Sequence, residues 1–172
     1  MPLQTETITL ADELDRLHDE REALAADVAD LDAENPAYDR LVSGGRTLDN
    51  HIAGVEWALD EWDVETVTFA GLTGGEYGRV EDRVKSDSIA NGKQSAGGAA
   101  RIHMVASGTV DAPYVDGADS YEAKLAAAAK LPFQYLQWAQ SRVDDLTSVG
   151  NDAGTSFADL VKEKQAATST DE

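Results

Sequence analysis

Three histidines are the natural candidates for acid–base or metal chemistry, and each stands alone in the sequence: His18, His51 and His103. None belongs to a His-Glu-x-x-His arrangement, in which two imidazoles one helical turn apart hold zinc. His18 and His51 fall on two helices expected to be neighbours. A two-histidine site across them is the sharper reading; ordinary packed or solvated histidine is the simpler one. The 33 carboxylates are so dense that no pair of them is informative as a glycosidase or metal signature. Asn91-Gly92-Lys93-Gln94 has the look of a phosphate-loop end. It fails because Asp87 stands where the first glycine belongs and Gln94 replaces the magnesium-binding Ser or Thr. Gly74-Gly75-Glu76-Tyr77-Gly78 lies between an expected strand and an expected helix, but its spacing is wrong for a dinucleotide fingerprint. There is no Gly-x-Ser-x-Gly elbow. The absence of Cys excludes disulfides, thiolate metal sites and cysteine nucleophiles. The expectation is a non-enzymatic chain with no cofactor and no metal.

Two stretches suit binding better than catalysis. Residues 75–110 hold four acids against Arg79, Arg83, Lys85, Lys93 and Arg101, a net of +1 in an otherwise acidic chain. One reading is a set of structural ion pairs with the acidic N-terminal region. The other is a docking face for an acidic partner, including a second copy of the chain. The second stretch runs from Leu131 to Trp138. Phe133, Tyr135 and Trp138 surround a helix more widely than one apolar stripe requires. Aromatics of this kind are frequent interface anchors, and frequent core residues too.

The elements that would carry these groups begin with two apolar seams in seven-residue rhythm. One is Leu10, Leu14, Leu17, Arg21, Leu24, Val28 and Leu31. The other is Tyr38, Leu41, Gly45, Leu48, Ile52, Val55, Leu59 and Trp62. Asn35-Pro36 separates them, so the spacing predicts an antiparallel coiled-coil hairpin over residues 1–63. Thr9 is the expected N-cap of the first helix, which should end near Asp32. The second should begin near Pro36 and run to Trp62, bent or unbroken at Gly44-Gly45.

A small α+β module over 64–150 should follow. Its best strand is Val64–Phe69, alternating and β-branched. Thr73-Gly74-Gly75-Glu76 has capping-box spacing ahead of a helix to about residue 86. Residues 86–98 read as a loop and 97–107 as a short helix. Thr109–Val115 reads as extended, Ser120 as the cap of an Ala-rich helix, and Leu131-Pro132 as the restart of a helix to about Val149. A short helix over 151–165 and a disordered tail over 166–172 complete the division. The fold class expected is mainly α with one or two short strands.

Composition bounds the setting. The net charge is -19, and only six of the 14 basic residues are Lys. Residues 11–34 alone hold ten acids and two arginines, a net of -8. Such a surface repels nucleic acid and anionic membrane. It suits molar salt, where the Debye length falls to about 3 Å and self-repulsion costs little. Asp used as freely as Glu, few Lys and many small residues point the same way, to a haloarchaeon or one of its viruses. No apolar run approaches the roughly 20 residues of a membrane span. The first residues lack the basic and apolar regions of a signal peptide, so the expected location is a host cytoplasm or a particle assembled there.

The order of features after residue 64 resembles the tail assembly chaperones of tailed viruses. The features are Val67 to Tyr77 (VTFAGLTGGEY), Arg101 to Pro113, and the Leu-Pro step within Leu131 to Asp145. The resemblance covers about 64–150 and is one of pattern; the N-terminal hairpin lies outside it. It implies a non-enzymatic role in which the chain binds other tail or structural proteins, and it transfers no residue-level site. A host coiled-coil adaptor or regulator without a virus role is the alternative expectation.

Overall fold

The computed structural model describes residues 4–90 and 97–149. It is mainly helical, with one small antiparallel sheet, an α+β fold. The element order is β1 (Thr5–Thr9), α1 (Leu10–Ala29), α2 (Tyr38–Glu61), β2 (Thr66–Ala70), α3 (Gly74–Ala90), α4 (Gly97–Gly108), β3 (Thr109–Asp111), α5 (Tyr121–Ala128) and α6 (Phe133–Val149). A single 3-10 turn, Pro113–Val115, links β3 to α5.

The sheet is ordered β1-β2-β3. Ile8 faces Val67 and Glu6 faces Phe69 in register, so the buried side of β2 and the inner side of β1 coincide. On the other side the Thr7 and Thr68 hydroxyls hydrogen-bond at 3.0 Å. A register shift at Thr68/Phe69 marks the pairing with β3. The sheet therefore has three strands where one or two were expected. β1 was not expected at all, although Thr-Glu-Thr-Ile-Thr is a β-branched alternation too short to stand out. It exists because β2 supplies its partner; Leu10 N–H then donates to the Glu65 carbonyl and fixes the turn into α1.

α1 and α2 pack against each other and run antiparallel. Leu24 lies beside Gly44 and Gly45, and Arg21 reaches Asp49, so later residues of α1 meet earlier residues of α2. A helical hairpin is therefore present. Thr9 is the N-cap, but its side chain makes no capping hydrogen bond. α2 passes through Gly44-Gly45 without interruption.

The hairpin is not a separate packing unit. One core runs from Leu10, Leu17, Ile52 and Val55 through Val67 and Phe69 to Tyr135, Trp138 and Val143. α6 is its centre because it meets α2, α4 and β2 at once. The crossing of α2 and α6 needs Gly54. A Cβ there would come within 2.6 Å of the Gln134 backbone. α3 is a full turn longer than expected and takes up residues assigned to a loop. The expected helix at 151–165 and the tail at 166–172 lie outside the described residues.

Candidate binding site

Arg79 and Arg83 are one helical turn apart, which puts both on one face of α3. That face meets the start of α5, where Tyr121 and Lys124 are three residues apart. Between the two walls is a cleft of about 410 Å³, floored by Val80, Ala106 and Ala118. The helix ends that frame it are well capped. Thr73 donates its N–H and its hydroxyl to Glu76 Oε2, each at 2.8 Å, and Glu76 N–H donates back to Thr73 Oγ1 at 3.3 Å. This is the reciprocal box expected from the spacing. Those hydrogen bonds, the backbone one first, hold the Glu76 carboxyl below its ordinary pKa. Ser120 Oγ accepts Ala123 N–H at 3.1 Å and caps α5 as expected.

Two of the cations are held in place. The Arg83 guanidinium lies 3.9 Å over the Tyr121 ring and 3.8 Å from Glu122. Lys124 Nζ donates to the Thr109 carbonyl at 3.4 Å. Arg79 is within ion-pairing distance of no carboxylate among the described residues. Behind Tyr121 lies His103, which is buried. Its Nε2 is 3.0 Å from Asp87 Oδ2 and its Nδ1 is 2.6 Å from the Tyr121 hydroxyl. An ionised carboxylate can only accept, so the proton belongs on Nε2; a neutral ring then accepts the tyrosine O–H at Nδ1. The chain Asp87–His103–Tyr121 thus orients the ring on which Arg83 rests. His103 read as isolated in sequence, because its partners are 16 and 18 residues away.

Arg101 does not join this cleft. Its Nε donates to Gln140 Oε1 at 3.0 Å and its Cζ lies 4.7 Å from the centroid of the Phe133 ring. The basic stretch of 75–110 is therefore split between different faces. Arg83 pairs with α5, not with the acidic hairpin. Lys93 lies outside the described residues.

Tyr135 and Trp138 are fully buried, so they are core residues and not surface anchors. α6 is enclosed on three sides, which is why residues spread around so much of it all find cover. Trp138 meets Phe69 edge-on at 5.5 Å, and Tyr135 sits among Trp57, Trp62 and Tyr114. Burial drives the Tyr135 hydroxyl well above its ordinary pKa. Phe133 alone of the three is exposed, at 53%.

No protein-family model, curated protein or solved structure matches this chain. The functional reading therefore rests on the residues themselves.

A second buried polar feature lies between hairpin and α6. Glu13 is 5% exposed and accepts Trp138 Nε1–H at 2.9 Å and two N–H groups of Arg16 at 2.8 and 2.9 Å. It read in sequence only as a helix-start acid. The four-residue offset from Thr9 carried no sign that α6 would deliver an indole to it. His51 lines a cavity with Arg16, Glu20 and Arg142 in which His18 has no part; His18 contacts Arg21 at 3.2 Å instead. The two-histidine pair is not formed. Among the described residues no three His, Asp or Glu side chains converge on a metal position, and no helix is long and apolar enough to cross a membrane.

Burial along the hairpin is uneven. The buried seam residues are Leu10 and Leu17 on α1 and Leu48, Ile52 and Val55 on α2. From His18 to Thr47 no residue is fully buried. Leu24, Val28, Leu31, Tyr38, Leu41 and Val42 are half-buried there and line an open groove. Of the other seam residues, Leu14, Leu59 and Trp62 pack on the edge of the core.

Proposed function

We propose that this chain is a non-enzymatic assembly or structural protein of a haloarchaeal tailed virus, working by protein–protein binding in tail or particle morphogenesis. The observation that carries the reading is the distal hairpin. Its base is built into the core, whereas its far end keeps an apolar groove half open to water. Leaving such residues uncovered costs stability, about 25 cal/mol per Å² of apolar surface, and a neighbouring protein that covers the groove recovers it. Phe133 under Arg101 offers a smaller apolar surface on α6. The acidic composition supports a high-salt setting, and the feature order after residue 64 supports a tail-gene origin. Partners on this reading are other particle proteins or a second copy, and neither nucleic acid nor membrane is among them.

The neighbouring genes and the purified particle test this directly. The chain's gene should lie within a cluster for tail and capsid proteins. Mass spectrometry of virus-producing cells should recover the chain in complex with a product of that cluster. A gene among host metabolic genes, with only host proteins bound, would overturn the proposal. A fixed copy number in purified particles makes the chain a structural component; absence there, with complexes in the cell, makes it a chaperone.

A further inference from the structure

We infer that the cleft between α3 and α5 is a binding site for a small phosphate-bearing anion, a site independent of the hairpin groove. Arg79 and Arg83 form one wall and Lys124 faces them. Three carboxylates share the neighbourhood, Glu76, Asp119 and Glu122, but among the described residues none comes closer than 3.8 Å to a cation of the cleft. Glu76, its pKa held below the ordinary value, keeps its charge in the field of Arg79, but its Oε2 takes the Thr73 N–H and hydroxyl; Glu122 meets Arg83 only at 3.8 Å with most of its side chain in water. An exposed pair of that kind contributes little. Asp119, exposed at the rim, is the one further acid lining the cleft.

Two of the three donors, Arg83 and Lys124, are also preset. Asp87 and His103 fix Tyr121, Tyr121 supports Arg83, and the Thr109 carbonyl holds Lys124. At those two donors little side-chain freedom remains to be lost on binding, which favours affinity. Guanidinium forks match phosphate oxygens in paired hydrogen bonds, and an ammonium adds a point charge. The small residues of the floor leave about 410 Å³, enough for a phosphate with a small organic body.

Charge selects the size of the ligand. An extended polyacidic segment would reach beyond the cleft onto a chain that carries -19 overall, and would meet repulsion there. A small dianion sees only the local field, since charges more than a Debye length away are screened.

Calorimetric titration of the full chain with inorganic phosphate, at a fixed high ionic strength set with KCl, tests the inference. One saturable site with a dissociation constant on the order of millimolar or tighter is expected. Arg79→Gln and Lys124→Gln should each weaken it by about tenfold while circular dichroism stays unchanged. Arg101→Gln removes the same charge from another face and should leave the constant within about twofold. Absence of saturable binding would overturn the inference. So would an equal loss in Arg101→Gln, which would reduce the effect to diffuse charge. Tighter binding of an acidic decapeptide than of phosphate would also overturn it, in favour of a protein-docking face.

Discussion

At the scale of single residues, Glu13 and Trp138 connect the hairpin to α6. Truncating Trp138 to Ala removes the largest fully buried side chain and should cost about 3–5 kcal/mol in a denaturant titration. Glu13→Ala strands the Trp138 N–H and should cost about 2–3 kcal/mol. Two titrations give stability a pH dependence. Burial alone would raise the Glu13 pKa, but hydrogen bonds from Arg16 and Trp138 and the charges of Arg16 and Arg142 outweigh it and hold the carboxyl below its ordinary range. A folded value below the unfolded one gives stability that is full above about pH 4.3 and is lost as pH falls through the folded value. For His51, burial depresses the imidazole pKa. The folded state then binds fewer protons, and a penalty sets in as pH falls below about 6.5. Denaturation midpoints should fall in two stages on acidification. His51→Gln should remove the first stage and Glu13→Gln the second; an unchanged profile in either variant would refute that assignment.

At the scale of elements, glycines in α2 have opposite meanings a few turns apart. A Cβ at Gly44 or Gly45 would lie 3.5 or 3.9 Å from Leu24 Cδ2, an ordinary contact distance. Alanine at either should therefore raise stability by about 1 kcal/mol through helix propensity alone. Gly54→Ala forces a methyl into the α6 backbone and should cost about 1–3 kcal/mol. Thermal melts of the three variants check both signs. The same contrast shows what was legible in the sequence. Local signals were readable: the capping box at Thr73–Glu76, the Ser120 cap, the Leu131-Pro132 restart and the two helices of the hairpin each followed from neighbouring residues. Contacts that depend on distant segments were not. β1 needed β2, Asp87–His103–Tyr121 needed three elements to converge, and Tyr135 with Trp138 had two possible fates until α6 was seen enclosed by α2, α4 and β2. Within the cleft, the Arg79/Arg83 spacing was visible in advance, whereas Lys124 was not, because nothing local brings α5 opposite α3.

At the scale of the whole molecule, one core unites both halves of the chain and leaves a charged, half-covered arm beyond it. The net charge of -19 predicts that stability depends on salt. The melting temperature should fall steadily as KCl is lowered from molar to about 0.1 M, where the Debye length has grown to about 10 Å and self-repulsion returns. Full stability in dilute buffer would contradict a high-salt origin. The arm carries the functional claim, since its groove over Leu24, Val28 and Leu41 is an apolar surface that the described residues leave open. The most direct measurement places a photocrosslinking residue at Val28 in virus-producing cells and identifies the adducts by mass spectrometry, with the same residue at Glu122 as the comparison site. The account predicts adducts from Val28 to one tail or particle protein, or to a second copy within such a complex, and none of these from Glu122. Adducts only to host proteins, or the same pattern from both positions, would contradict it.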